Sequence, residues 1–197
     1  MEDEQRRISD CCASLHEHIQ KWKKLNASGV RVANDLINLK LQTDYVDGAE
    51  SWGSLSNVKD LPGRVIAKLQ DDVEKKYEEL KIIFEALREV HQKMGSLSRN
   101  VRAVSQLMWI SNGEEASSKP LFHTMTACQF SKRFEQLYDI YTHELAVKET
   151  IIGAIPDEQN RDTLTLYIST WLHEPYIDES SIILLESMLI ETGLKKT

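Results

Sequence analysis

IAKLQDDVEKKYEELKIIFEALREVHQKMGSLSRNVRAVSQLM, residues 66–108, is the stretch that decides the fold of this chain. Its apolar residues recur at steps of three and four, and only Lys76 is polar at one of these positions. A 3.5-residue period keeps one seam of a helix facing a partner helix, as in a coiled coil. Such a long helix must pack against others. The predicted seam consists of Ile66, Leu69, Val73, Leu80, Ile83, Leu87, Val90, Met94, Leu97, Val101, Val104 and Met108.

The segments before and after the long helix carry apolar stripes of helical spacing. One stripe begins at Ile8, another at Phe130, and two short ones follow residue 157. Stretches containing Gly, Ser or Pro separate them. We therefore predict an all-α fold, an elongated antiparallel helical bundle or coiled coil of three long helices with short C-terminal helices. The predicted segments are an N-terminal helix (1–42), a linker (43–62), the long coiled-coil helix (63–110), a loop (111–126), a third helix (127–153) and a C-terminal helical segment (157–197).

Charge and cysteine content argue against several classes of protein. The formal net charge is −7, whereas nucleic-acid-binding proteins carry basic patches that neutralise phosphates. A local basic stretch (Lys21, Lys23 and Lys24) is flanked by acidic residues, so we expect no direct contact with nucleic acid. The three cysteines, two of them adjacent, do not resemble a disulfide framework and fit a reducing compartment. No secretory signal and no apolar run of about 18 residues is present, so we expect no membrane contact.

No set of residues in the sequence assembles a catalytic or metal site. Cys12 and His16 lie one helical turn apart, but two ligands fall short of the four in a structural zinc site. Cys128 is a candidate nucleophile with His123 or His143 as its base, yet no third residue would orient the pair. Gly-rich phosphate loops and the HExxH and GxSxG motifs are absent. We predict a non-enzymatic protein with no catalytic residues, no metal and no cofactor.

Two short aromatic motifs stand out from the helical stripes. Trp171-Leu172-His173-Glu174-Pro175-Tyr176 fits either a helix end with a core Trp and a terminating Pro or a recognition element. Trp and Tyr anchor many protein interfaces. Leu121-Phe122-His123-Thr124 fits either a docking element or a loop tucked under a helix. The partner-binding residues that we predict are Trp171, His173, Pro175, Tyr176, Leu121, Phe122 and His123.

Together with other motifs, these two resemble the cyclin-dependent kinase 2-interacting protein family. The resemblance rests mainly on the WLHxPY motif at 171–176 and on Leu185-Glu186-Ser187-Met188-Leu189-x-Glu191-Thr192-Gly193. The order and spacing of the motifs match across nearly the whole chain. Three further stretches agree, namely Leu121-Phe122-His123-Thr124, Trp22-x-x-Leu25-Asn26-x-x-Gly29, and Ala33-Asn34 with Asn38-Leu39-Lys40.

The resemblance implies a nuclear adaptor subunit in DNA replication and genome maintenance, with a cytoplasmic fraction. Its implied partners are a cyclin-dependent kinase, the replication-initiating kinase, and the ATR-interacting protein of the DNA damage checkpoint. It also implies membership of a chromatin-associated complex of AAA+ ATPases that acts in replisome turnover and ribosome maturation. A hetero-oligomer is therefore expected.

The residues themselves leave an alternative open, a homo-oligomeric coiled-coil spacer with no kinase or ATPase partner. They also bear on the kinase link, because the chain contains no Ser-Pro or Thr-Pro site and no Arg-x-Leu cyclin-docking triplet. Kinase association would then use a folded surface or a third protein, which favours the ATPase-complex interpretation.

Overall fold

A computed structural model describes residues 2–48, 52–117 and 119–196 of the chain. These residues form five α-helices and one 3-10 helix, with no β-strand among them. The prediction of an all-α fold is confirmed. No helix in the described part of the chain has the length and apolar character needed to cross a bilayer. The elements are α1 (Glu2–Asp47), the 3-10 helix (Gly53–Asn57), α2 (Leu61–Ser117), α3 (Ala127–Ala154), α4 (Arg161–His173) and α5 (Glu179–Glu191).

The first helix extends further than its apolar stripe predicts. It continues to Asp47 rather than ending at 42. The Thr43 hydroxyl donates to the Leu39 carbonyl at 2.8 Å, and the Gly48 N–H closes the last turn on the Asp44 carbonyl at 3.0 Å. Adding a turn to a formed helix fixes few residues per hydrogen bond, so no apolar stripe is needed there. The stretch predicted as a linker (43–62) therefore contains the end of α1 and the 3-10 helix.

The long helix is also longer than the predicted 63–110. It begins at Leu61 and ends at Ser117, and the left-handed backbone of Gly113 (φ 74°) interrupts it near that end. Pro62 lies in its first turn, where a missing N–H costs nothing. The predicted loop (111–126) is shortened accordingly, while α3 ends within one residue of its predicted limit. Both α4 and α5 lie in the predicted C-terminal helical segment.

The chain divides into two compact units. Unit 1 is built from the described residues within 1–24, 87–146 and 174–197, and unit 2 from those within 25–86 and 147–173. Large apolar side chains that are buried in unit 1 are Ile8, Trp22, Leu87, Met94, Phe130, Phe134, Leu137, Tyr141 and Met188. Those buried in unit 2 are Leu36, Ile37, Leu80, Phe84, Ile151, Ile155, Leu164 and Trp171.

Burial of the predicted seam changes along α2. From Leu80 to Met108 its side chains are buried, apart from the partly exposed Ile83 and Leu97. In the earlier turns, Ile66, Leu69, Val73 and the polar Lys76 are all partly exposed. Helix α3 ends at Ala154, and its Ile152 carbonyl accepts a hydrogen bond from the Tyr77 hydroxyl at 3.3 Å. The helix that packs beside Tyr77 thus stops near the point where the seam becomes partly exposed.

Candidate protein-binding site

Trp171, the first predicted anchor, lies in the core of unit 2. Its side chain is fully buried, and a Cβ added at Gly29 would lie 2.9 Å from its Cζ2 atom. The buried Lys148 ammonium donates to the Trp171 carbonyl at 3.3 Å and to Asn26 Oδ1 at 2.8 Å. It also lies 5.0 Å from the indole centroid, within cation–π distance. In the folded chain Trp171 therefore offers no surface to a partner.

Residues 174–177 form a turn that is hydrogen-bonded to other residues of unit 1. Glu174 has a left-handed backbone (φ 44°), and its carbonyl accepts from the Ile177 N–H at 2.8 Å. Its carboxylate accepts from Trp22 Nε1 at 2.7 Å. The Tyr176 N–H donates to Glu144 Oε2 at 3.2 Å. Both flanks of Pro175 are thus hydrogen-bonded to other parts of the unit, which fixes the direction of the Tyr176 side chain.

Tyr141 packs beside this turn, with its ring edge-on to Trp22 at a centroid distance of 5.0 Å. Burial raises the pKa of the Tyr141 hydroxyl well above its ordinary value, and the negative charges of Glu174 and Glu144 raise it further. Tyr141 therefore stays neutral in the physiological range. Its role here is packing rather than proton transfer.

The second predicted motif, Leu121-Phe122-His123-Thr124, is hydrogen-bonded by Glu191 at the end of α5. The Glu191 carboxylate accepts from the N–H groups of His123 (3.1 Å), Thr124 (2.9 Å) and Met125 (3.2 Å), and also from the Thr124 hydroxyl. Burial raises the pKa of Glu191, but the combined hydrogen bonds outweigh it and lower the pKa overall. Glu191 thus remains ionised and closes the 121–125 loop.

The predicted partner-binding residues consequently differ in exposure. Tyr176 is 48% exposed and stacks on the His143 ring at 5.2 Å. Phe122 is partly exposed and packs on Phe130 at 5.4 Å. Of the remaining predicted residues, Trp171 and Leu121 are buried, whereas His173, Pro175 and His123 are exposed.

Helix α5 is fixed at both ends, which makes its outer face a defined surface. The Asp178 side chain accepts from the Ser181 N–H at 3.1 Å and caps the first turn. At the other end Gly193 adopts a left-handed backbone (φ 73°), and the Leu194 N–H reaches the Leu189 carbonyl at 2.9 Å. This is the Schellman motif, in which a helix ends at a glycine with a left-handed backbone.

An apolar groove of about 470 Å³ runs between α1 and α5 in unit 1. The buried side chains of Ile19, Leu185 and Leu189 line it, together with the more exposed Ile182 and Leu194. Small or polar residues of α1 form the facing side, namely Ala13, His16, Glu17, Gln20 and Lys23. A groove of mostly apolar lining with a few polar groups at its edge is typical of a binding site for another molecule.

Sequence reasoning missed the most exposed apolar residues of this region. Ile182 is 46% exposed, Ile183 60% and Leu194 48%, and none was among the predicted partner-binding residues. The signal was present in α5 itself, where the apolar residues of 182–185 and 188–190 are spread over several sides of the helix rather than one. A helix that is apolar on all sides is normally buried on all sides. The exposed side of α5, next to the groove, is therefore a candidate contact surface.

The two cysteine candidates, Cys12 and Cys128, lie in different environments. Cys12 is buried, and burial, with a smaller effect of Cys11, raises the pKa of its thiol to about 12. A thiol in that state is a poor nucleophile and metal ligand. Cys128 is exposed. Within the described residues no cluster of three or more His, Cys, Asp or Glu side chains could hold a metal ion.

Comparison of the sequence with known proteins places the chain in a family. The model of the CA109-like family, described as ribosome biogenesis protein C1orf109-like, matches residues 2–183. The chain belongs to the CA109-like family. Among its relatives are the cyclin-dependent kinase 2-interacting proteins of Bos taurus (35% identical), Homo sapiens (34%) and Mus musculus (32%). Each of these alignments covers 95% of this chain and 89% of the relative.

The resemblance to cyclin-dependent kinase 2-interacting proteins is thereby confirmed. The names of the CA109-like relatives describe interaction with a kinase and ribosome biogenesis rather than a reaction. An interaction or adaptor role for the chain agrees with these names. The match covers the α1 side of the groove and the start of α5 up to residue 183, while Leu185 and Leu189 lie beyond it.

Proposed function

We propose that the chain is a non-catalytic adaptor subunit that binds other proteins through the outer face of unit 1. The observation that carries this proposal is the apolar groove between α1 and α5, with Ile182 and Leu194 exposed at its edge. Exposed apolar patches of this kind mark protein contacts in otherwise polar surfaces. Tyr176, fixed by its hydrogen-bonded turn, adds an aromatic side chain beside the same helix.

The proposed setting is a nuclear complex with AAA+ ATPases that acts in ribosome maturation and replisome turnover. The ribosome biogenesis description of the family supports this setting. Binding of a cyclin-dependent kinase is proposed from the relatives' names. Links to the replication-initiating kinase, the ATR-interacting protein and DNA repair are proposed from what the sequence resemblance implies. The absence of Ser-Pro, Thr-Pro and Arg-x-Leu sequences favours contact through a folded surface in each case.

The experiment that tests this function is purification of the tagged full-length chain from nuclear extract. We expect AAA+ ATPase subunits at a fixed molar ratio after gel filtration in moderate salt. A purified Ile182→Glu variant should lose partners, while Ile82→Glu should keep them, because Ile82 is 69% exposed on α2 and is not among the residues that line the groove. Recovery of the wild-type chain alone would contradict the adaptor function.

Burial of the seam within one chain argues against the alternative of a homo-oligomeric spacer. Most seam residues from Leu80 to Met108 are already buried within one chain, so they are not free to pair with a second copy. Light scattering on the purified chain distinguishes the two functions, since the spacer requires a stable self-dimer and the adaptor does not.

A further inference from the structure

The outer side of α5 exposes apolar surface that the chain itself does not cover. Ile182 and Ile183 are neighbours on this side, and Leu194 follows the helix end. Burying an exposed isoleucine removes its apolar area from water and stabilises a complex by an amount that grows with that area. Because Ile182 and Leu194 also line the groove, the exposed surface and the groove form one continuous site.

The dimensions of the groove match a short helix. Its lining on α1 extends from Ala13 to Lys23, a rise of about 15 Å at 1.5 Å per residue. The lining positions on α1 follow helical spacing, so the groove is straight along the helix axis. A helix of about three turns would fill this length and place residues i, i+3 or i+4, and i+7 on the apolar floor.

Charge at one end of the groove indicates what kind of helix fits. Lys23 lines the groove, Lys21 and Lys24 are its exposed neighbours on α1, and none of the three forms an ion pair within the described residues. Glu186, on the α5 side, is already paired with Lys195. Glu17 also lines the groove, nearer its Ala13 end, so the positive charge is confined to the Lys23 end. That end, with Lys21 and Lys24 exposed nearby, would attract negative charge.

We propose that this groove binds an acidic amphipathic helix of about three turns, supplied by a different protein. The inference rests on the proposed adaptor function and specifies the chemistry of its partner. The apolar stripe of that helix covers Ile182, Leu185 and Leu194, and its acidic residues lie at the Lys23 end of the groove.

Site-specific photo-crosslinking identifies the occupant directly. The full-length chain would carry a benzophenone amino acid at position 182, with position 82 as the control site, and be irradiated in nuclear extract. Mass spectrometry should find at position 182 a segment of another protein with apolar residues at i, i+3 or i+4, and i+7 and a net negative charge. A crosslink to a second copy of this chain, to a basic or non-periodic segment, or none above the control would overturn the proposal.

A binding measurement then tests the charge and the apolar contact separately. The crosslinked segment, made as a labelled peptide, would be titrated with full-length variants by fluorescence anisotropy. We expect Ile182→Glu to weaken binding about tenfold or more, as loss of a central apolar contact does. Lys23→Glu reverses a charge at the end of the groove and should weaken binding several-fold, most strongly at low salt. The matched controls Ile82→Glu and Lys68→Glu should leave Kd unchanged, and circular dichroism would verify that every variant is folded.

Charge reversal on both sides gives the decisive comparison. A peptide with one acidic residue changed to Lys should bind Lys23→Glu better than it binds the wild-type chain. Equal affinity of wild type and Lys23→Glu for the original peptide would overturn the acidic-helix proposal. If AAA+ ATPases still copurify with Ile182→Glu, the groove is refuted while the adaptor function stands; if wild type recovers none, the adaptor function itself fails.

Discussion

The indole ring of Trp171 packs directly on Gly29, so closely that a Cβ at position 29 would lie 2.9 Å from the Trp171 Cζ2 atom. Real Cβ contacts are not that short, so helix α1 approaches α4 here only because residue 29 has no side chain. Trp171 is fully buried and its carbonyl is held by Lys148. In a close-packed interior the ring has little room to move away.

Gly29→Ala should therefore destabilise the protein, although Ala is normally the better helix former. Relief of the glycine penalty contributes about 1 kcal/mol in favour of the variant. Overpacking of a buried contact costs typically about 1–3 kcal/mol, and we expect it to prevail. Urea denaturation of the variant and the wild type shows whether the substitution lowers or raises the free energy of unfolding. Gly153→Ala is the matched control because open space surrounds that position in α3, and it should be neutral or stabilising. Equal effects at both positions would refute the close contact.

Glu191→Gln should weaken the attachment of the 121–125 loop and make stability less dependent on pH. The substitution replaces a charged acceptor of several hydrogen bonds with a neutral amide, at a cost of about 1.5–3 kcal/mol at pH 7. Because the pKa of Glu191 is lowered on folding, its contribution is present above the ordinary value of 4.5 and is lost as pH falls toward the folded-state pKa.

Urea denaturation of both proteins between pH 7 and pH 3 measures this dependence. The difference between wild type and Glu191→Gln should be constant at neutral pH and shrink below about pH 4.5. Glu186→Gln serves as the control, since its ion pair with Lys195 is about half exposed and contributes at most about 1 kcal/mol. A difference that grows on acidification would contradict the lowered pKa of Glu191.

Trp171 and Tyr176 belong to one sequence motif, but their substitutions should lower stability by very different amounts. Trp171→Ala removes a fully buried ring and should cost about 3–5 kcal/mol of stability. Tyr176→Ala removes a half-exposed ring stacked on His143 and should cost less than about 1.5 kcal/mol. Thermal unfolding followed by circular dichroism separates the two. A Trp171→Ala variant with wild-type stability would restore Trp171 as an interface anchor.

The helices were predictable because their signals are local. The heptad pattern of residues 66–108 and the apolar stripes that begin at Ile8 and Phe130 each depend on residues a few positions apart. The link between Glu191 and Thr124 joins positions 67 apart, and nothing in either motif specifies the other. For the same reason the two interpretations of Trp171 could not be separated, since a buried ring and an interface anchor have the same local sequence.

Burial along the seam shows the same limit of local patterns. The heptad spacing is uninterrupted from Ile66 to Met108, yet only the later part is buried. The pattern states that a helix has an apolar side but not which other segment covers it or how far that segment extends. The exposed side of α5 was missed for the converse reason, because its all-round apolar composition was assigned to a single face.

Two leucines of the seam allow this difference in burial to be measured. Leu80 is fully buried, and Leu80→Ala should lower the free energy of unfolding by about 2–5 kcal/mol through lost contacts and a residual cavity. Leu69 is partly exposed at the other end of the same unit, so Leu69→Ala removes the same atoms from a site that water already reaches. We expect a cost there of about 1 kcal/mol or less, in proportion to the smaller apolar area that is buried. Urea denaturation of the two variants and the wild type at one temperature provides the comparison. Equal costs would mean that the seam is covered along its whole length in solution, either by a second copy, which would appear as a concentration-dependent midpoint, or by a closer approach of the helices within the chain.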